Sequence, residues 1–266
     1  MKNFQTYILW WYSQYGRTHL PWRQTTDPYR ILVSELMLQQ TQVDRVIPKY
    51  NAFLKQFPTV QVLATARLGA VLTAWQGLGY NRRAKYLHQL AQTVTRDASG
   101  IFPKSETELL NLPGVGSYTA SAITAFAYNQ PTVVIETNIR AVYIYHFFPE
   151  KSQVKDDELL LLISDSLYKK NPRLWYSALM DYGTQLKKIF PNPNRNSRQY
   201  ARQSTFQGSL RQTRGEIIRM LSVHSNLSET KLLQQLTSNP EHHAKALESL
   251  IKEQLVLREK TTIRLA

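Results

Sequence analysis

The residues with the most chemical potential lie between Glu108 and Arg140, in the stretch ELLNLPGVGSYTASAITAFAYNQPTVVIETNIR. Ser105 and Glu108 form an S-x-x-E pair that opens a short apolar helix. That helix runs into Leu112-Pro113-Gly114-Val115-Gly116, and a second helix starts at Ser117. Two glycines around one residue allow a tight turn with uncovered backbone N–H groups. The second helix then opens with unsatisfied N–H groups and the positive end of its dipole, which suits one phosphate. Downstream, Glu136 sits on the short loop between Val133-Val134-Ile135 and the next helix. A phosphate clamp followed by a lone carboxylate would pair a grip on DNA with chemistry. The alternative is an ordinary helix–turn–helix corner with Glu136 as a helix N-cap.

A second carboxylate of interest is Glu35. It lies inside the apolar run Ile31 to Leu38. A buried carboxylate costs several kcal/mol unless paired or protonated, and burial raises its pKa. A neutral acid near pH 7 can donate a proton, as general acid catalysis requires. Otherwise Glu35 faces solvent from a polar stripe. Gln39, Gln40 and Gln42 follow; they can bond base edges or wedge into a stack, or form an uncharged helix surface. Gly77-Leu78-Gly79-Tyr80, backed by Arg82, Arg83 and Lys85, suits a loop against a phosphate backbone with a ring free to stack. It also fits a glycine C-cap followed by a solvated basic turn. Trp22, in the proline-bounded loop Gly16 to Tyr29, is either a core anchor or a wall for a planar ligand.

The elements that must carry these groups are helical. Residues 3–15 have helical periodicity, and 29–57 form a strong helical region. Residues 60–95 read as two helices broken at Gln76–Tyr80, and further helical segments cover 139–148, 155–169 and 174–188. Residues 187–214 hold seven Lys/Arg and no Asp or Glu, which marks a basic arm extended in part along DNA, or a solvated linker. Helical stretches at 215–223, 229–236 and 242–255 precede two short strands, 255–258 and 262–265, a pattern like a winged helix.

Composition narrows the partners. The 266-residue chain carries a formal net charge of +14, which favours a polyanion, nucleic acid first. No apolar run is long enough to cross a bilayer, and the N-terminus shows no targeting signal, so the chain reads as cytoplasmic and nucleoid-associated. There is no cysteine, hence no disulfide, thiolate zinc or cysteine-held iron–sulfur cluster. The six histidines are scattered, which argues against a histidine metal site.

With these residues in view, the chain resembles the helix-hairpin-helix (HhH-GPD) DNA glycosylases, and within them the MutY-type adenine glycosylases, over about residues 4–186. The likeness rests on Leu20-Pro21-Trp22-Arg23, Asp27-Pro28-Tyr29, Ser34-Glu35-x-Met37-Leu38-Gln39-Gln40-Thr41-Gln42-Val43, Gly77-Leu78-Gly79-Tyr80, Leu112-Pro113-Gly114-Val115-Gly116, and Asn138 with Arg140. The S-E-x-M-L-Q-Q-T run is the most specific part. The resemblance implies an all-α, two-lobed fold with a small C-terminal winged-helix-like α+β domain. One lobe spans 22–130 with six helices and the hairpin; the other combines 1–21 with 131–186. Residues 187–214 form a basic connector and 215–266 the winged-helix-like domain. The base pocket would lie in the cleft between the lobes.

Carried over by resemblance, Glu35 is the acid that protonates the purine ring, and Glu136 takes the place of the family's catalytic aspartate. Tyr118 and Asn138 support the site. Leu20, Trp22, Arg23, Leu38 and Asp181 line the base pocket. Gln40 and Tyr80 wedge into the duplex. Gln39, Arg82, Arg83 and Arg140 contact DNA, together with Leu112, Gly114, Val115 and Gly116 of the hairpin, whose carbonyls could also take a monovalent cation. Otherwise no metal or cofactor is implied. The implied activity is monofunctional: strand-cutting relatives carry a Schiff-base lysine where this chain has Tyr118. The expected protein is a monomer that excises adenine mispaired with guanine or 8-oxoguanine from double-stranded DNA in base excision repair. The rivals are a thymine/uracil mismatch glycosylase and a non-catalytic DNA-binding protein.

Three departures stand out. Glu136 is one methylene longer than aspartate, which moves the carboxylate by up to ~1.5 Å. The family's four-cysteine cluster loop is gone. The family's C-terminal domain, which reads the oxidised guanine, is replaced by the winged-helix-like segment.

Overall fold

The computed structural model describes residues 1–224 and 226–266. In chain order the first helices are α1 (Lys2–Tyr15), α2 (Pro28–Leu38), α3 (Val43–Gln56), α4 (Val60–Thr65), α5 (Leu68–Ala74), α6 (Arg82–Ala98) and α7 (Glu106–Leu110). They are followed by α8 (Ser117–Phe126), α9 (Thr137–Phe147), α10 (Asp156–Asp165), α11 (Pro172–Ile189), α12 (Leu210–Val223), α13 (Glu229–Gln235) and α14 (His243–Lys252). Strands β1 (Leu227–Ser228), β2 (Val256–Glu259) and β3 (Thr262–Leu265) complete the chain. The class is the expected one: helical, with a small α+β segment at the C-terminal end.

The residues fall into two compact units. The first comprises Met1–Leu32, Pro103–Asn111 and Val115–Arg202. Its core is aromatic. Phe4 of α1 meets Tyr143, Phe147 and Trp175 edge-on, with centroids 5.6, 5.1 and 5.8 Å away. Such pairs add packing energy beyond their buried area. Helices α9 and α11 touch closely because Gly183 has no side chain: a Cβ there would lie 2.2 Å from the Asn138 carbonyl oxygen. The Tyr176 hydroxyl accepts from Val134 N–H (3.2 Å) and donates to the Thr132 carbonyl (2.6 Å), which fastens the loop before α9. Arg173 donates to the Phe126 and Ala127 carbonyls at the end of α8. Residues 190–199 fold back on α9: Asn194 Nδ2 donates to the Thr137 carbonyl (2.9 Å), and Val154 pairs with Ser197 as an isolated parallel bridge. The first part of the basic segment is therefore packed structure. Polar side chains of an uncharged N-P-N turn made this invisible to a charge count.

The second unit comprises Val33–Phe102, Leu112–Gly114 and Gln203–Ala266. Helix α6 buries Ala84, Leu87, Leu90, Ala91 and Val94 along one face and packs on α4 and α5. Phe53 and Trp75 meet edge-on at 5.8 Å. The sheet is antiparallel in the order β1-β3-β2, with Val256 opposite Leu265 and Leu227 opposite Ile263. The order α12, β1, α13, α14, β2, β3 is that of the winged-helix-like segment. It is docked on α5, where Gly69 N–H donates to the Ala266 carbonyl (2.6 Å).

Three expectations need correction. The helical region 29–57 is two helices, because α2 stops at Leu38 and Gln40 takes a left-handed φ of 55°. The 60–95 region has a further break at Ala66–Arg67, so two short helices precede α6. The small sheet has a third strand, β1, whose two residues are too few to show alternation.

Candidate active site

In the first unit, Glu136 is the N-cap of α9, with extended backbone. Its Oε1 accepts from Asn138 N–H (2.7 Å) and Ile139 N–H (2.8 Å). Its Oε2 accepts from Asn138 Nδ2 (3.1 Å) and the Thr137 hydroxyl (3.0 Å). The carboxylate therefore stands at the favourable end of the helix dipole with a fixed orientation. Asn138 is held in turn: its Oδ1 accepts from the Thr184 hydroxyl (3.3 Å). Burial lowers the pKa of Lys187 on α11, while the charge of Glu136 pulls it back up; the net is below the usual lysine range. Glu136 and Asn138 are thus brought together, and Thr184 and Lys187 join them. Sequence reasoning missed those two; their i, i+3 spacing from Asp181 and one another on α11 was the available signal.

The loop before α2 is organised by Asp181. Its carboxylate, buried on α11, accepts from Arg17 N–H (2.8 Å), Arg17 Nε (3.0 Å) and Nη2 (2.6 Å), and Arg23 Nη2 (3.3 Å). Arg23 also donates to the Tyr12 hydroxyl (3.2 Å). Asp181 and Arg23 were expected to line a base pocket. Both are committed to holding the 16–23 loop on α11, and Arg17 is their unforeseen third member. Leu20 and Trp22 are 2% and 7% exposed, so they are mostly core.

In the second unit, Glu35 is 6% exposed on α2, between the buried Val33 and Leu36. The solvent-facing alternative is thereby removed. Leu38 and Gln39 are half-buried at the end of the helix, and Gln40 is exposed. The end of α2 is held by Arg83, itself 8% exposed. Its Nη1 donates to the carbonyls of Leu36, Met37 and Gln39, and its Nη2 to those of Leu78 and Gly79. Burial depresses its pKa to about 10, with Tyr80 acting in the opposite direction. Arg83 was expected on DNA. It is a buried clamp joining the end of α2 to the Gly77–Tyr80 turn, whereas its neighbour Arg82 is exposed and bonds the Tyr86 hydroxyl (2.8 Å). Arg140 is likewise spent, on a two-bond pair with Asp156 (2.8 Å each).

The hairpin turn needs glycine once. Gly114 has φ of 75°, and a Cβ there would lie 2.4 Å from Tyr86 Cβ. A Cβ at Gly116 would meet nothing within 4 Å. Gly116, the N-cap of α8, is exposed and stands in open space. Leu112 and Val115 are half-buried, and Tyr118 sits half-buried in the first turn of α8. Ser105 caps α7, accepting from Glu108 N–H (3.2 Å) and donating to the Glu108 carboxylate (2.6 Å).

A family model of HhH-GPD superfamily base excision DNA repair proteins matches residues 33–163. This chain belongs to the HhH-GPD superfamily. The adenine DNA glycosylase of Buchnera aphidicola subsp. Baizongia pistaciae is 38% identical over 183 residues, 68% of this chain and 51% of that protein. The Mycobacterium tuberculosis adenine DNA glycosylase is 46% identical over 138 residues, 52% of this chain and 45% of the relative. The human one is 41% identical over 148 residues, 52% of this chain and 27% of the relative. The chain spans about half the length of the bacterial relatives it matches. Among solved structures, a thermostable thymine-DNA glycosylase superposes with TM-score 0.63 at 24% identity, over 72% of this chain and 89% of the other. A non-covalent endonuclease III–DNA complex gives 0.54 at 17% identity, over 71% and 84%. These two likenesses concern the fold.

An iron–sulfur cluster does not fit this HhH-GPD protein, which has no cysteine to hold one. Among the described residues, no group of three or more His, Asp or Glu could hold a metal ion, and no helix is long and apolar enough to cross a membrane.

Proposed function

We propose that this protein is a monofunctional DNA glycosylase of base excision repair that removes adenine mispaired with guanine or 8-oxoguanine. The observation that carries this reading is the burial of Glu35 inside the S-E-x-M-L-Q-Q-T run, in a chain whose relatives are named adenine DNA glycosylases. A base in a duplex must first be flipped out. Glu35 then gives its proton to the purine ring, the C1′–N9 bond breaks, and its electron pair leaves with the neutral base. The sugar is left as an oxocarbenium-like cation, which the oriented Glu136 carboxylate stabilises. Water adds at C1′ and its proton returns to Glu35. A pyrimidine offers no ring N7 for such an acid, which disfavours the thymine or uracil substrate. Phosphate contacts fall to the N-terminus of α8 and to Arg82, with Gln39, Gln40 and Tyr80 at the bases. Tyr118 cannot form a Schiff base, so strand scission stays weak.

The test uses excess protein with duplexes carrying A:8-oxoG, A:G, T:G and U:G, treated with and without alkali. Alkali-dependent cleavage at adenine supports the reading, and Glu35→Gln then abolishes it while duplex binding survives. Cleavage at thymine or uracil favours the mismatch glycosylase. Binding without any cleavage favours a non-catalytic role, and normal turnover by Glu35→Gln removes the proposed acid.

A further inference from the structure

Gly215 lies in the second turn of α12, inside the helix. Glycine there weakens a helix, because its backbone loses the most freedom and stays uncovered. At Gly114 and Gly183 a neighbour stands too close for a Cβ. That reason fails at Gly215, where a Cβ would meet nothing within 4 Å. The space in front of it is a cleft of about 700 Å³, whose walls also include Gln42, Arg45, Gln212 and Arg219. All these residues belong to the second unit. Arg211, Gly215 and Arg219 stand at i, i+4 and i+8 on one face of α12. Arg211 is already engaged, its guanidinium 5.1 Å from the Tyr80 ring centroid. Arg219 and Arg45, the latter in the first turn of α3, are exposed. Among the described residues neither guanidinium has a hydrogen bond or ion pair. The acid in the cleft wall, Glu216, already accepts from Thr237 N–H (2.8 Å), the Thr237 hydroxyl (2.7 Å) and Ser238 N–H (3.1 Å). Gln76 donates to the Ser222 hydroxyl and ties α12 to the turn after α5.

A bare glycine face beside unpaired guanidinium groups suits a chain of phosphates. A sugar–phosphate strand can touch a helix closely only where no side chain intervenes, and it needs cations to replace its counterions. The Gln42 and Gln212 amides can donate to phosphate and sugar oxygens without reading sequence. The β2–β3 pair is a poorer candidate, since its arginines are spent: Arg258 pairs with Glu229 and Glu248, and Arg264 with Glu259. We infer that this cleft holds the sugar–phosphate backbone of one DNA strand, with Gly215 against the strand and Arg219 and Arg45 each on a phosphate. The contact is independent of base sequence. It rests on the DNA glycosylase reading and adds to it a grip from α12, which lies outside the family-matched residues 33–163.

The test is equilibrium binding of the full chain to one duplex with a stable abasic analogue, across a salt series. Gly215→Gln places a good helix former in open space, so it should raise the thermal midpoint. The same variant should weaken duplex binding about 10-fold or more, because the side chain fills the strand's path and breaks its phosphate contacts. Arg219→Gln and Arg45→Gln should each lower the slope of log affinity against log salt by about one, and the double variant by about two. Lys231→Gln, on α13 outside the cleft, removes one charge and should keep the native slope. A stabilised Gly215→Gln that binds as the native chain does overturns the proposal. So does a folded Arg219→Gln with the native slope, or a Lys231→Gln that loses as much. If Gly215→Gln fails to fold, the arginine slopes decide. Native slopes in both arginine variants of a chain that still excises adenine sink this inference alone. Slopes that fall as expected in a chain that excises nothing sink the glycosylase reading and leave the inference standing.

Discussion

At Glu136 the proposed function would place a second duty on the oxygens that cap α9. Capping α9 and facing a developing cation both need a carboxylate or its equivalent, so variants must separate them. Glu136→Ser retains a good N-cap, and thermal unfolding should shift by no more than a few degrees. Single-turnover excision should fall at least ~10²-fold, because the negative charge is gone. Glu136→Asp keeps both charge and cap and restores the family's shorter reach. It should raise excision, by up to ~10²-fold if the present carboxylate is misplaced by about 1 Å. Asp181 makes a different argument. Its side chain is 1% exposed and faces two guanidinium groups, of which that of Arg23 is 10% exposed. Removing one partner of such a cluster strands charge in the interior, so Asp181→Ala should cost about 3 kcal/mol in urea unfolding. From the sequence Asp181 looked like a pocket residue, because nothing in the chain shows that Arg17 folds back onto α11.

Among the elements, α2 is the most informative. Its end is set by a residue on another helix. The carbonyls of Leu36, Met37 and Gln39 are taken by Arg83 instead of by a further helical turn. Arg83→Met should therefore cost about 2–3 kcal/mol and loosen the Gln40 and Tyr80 turns together. Lysine should rescue little, since it lacks the planar fork. Arg82→Ala should leave stability within about 0.5 kcal/mol and weaken DNA binding instead. The C-terminal segment carries its own titration. Burial pushes the Glu216 carboxyl up, but bonds from Thr237 and Ser238 outweigh it and bring its pKa down to about 2, from 4.5. A depressed folded pKa gives stability that is complete above about pH 4.5 and drains as pH falls toward 2. Urea unfolding at pH 6 and pH 3 should show a loss on the order of 1–3 kcal/mol between them. Glu216→Gln should remove that pH dependence.

For the molecule as a whole, the net charge of +14 predicts duplex binding that weakens steeply with salt. Arg82→Ala should reduce the slope of log affinity against log salt by about one. Much of this protein was fixed by local chemistry. Helical periodicity, the S-x-x-E cap, the L-P-G-V-G turn and the S-E-x-M-L-Q-Q-T run are short-range patterns, and each reads directly from neighbouring residues. The absence of cysteine alone excludes a thiolate-held cluster. What the sequence could not decide is how each cation is spent. Seen as a list, Arg82, Arg83, Arg140 and Arg211 are equivalent. Only tertiary packing buries Arg83 among carbonyls, pairs Arg140 with Asp156, leaves Arg82 in solvent and brings Arg211 to Tyr80. Desolvation and partner geometry depend on residues distant in the chain, and those are set when the helices pack.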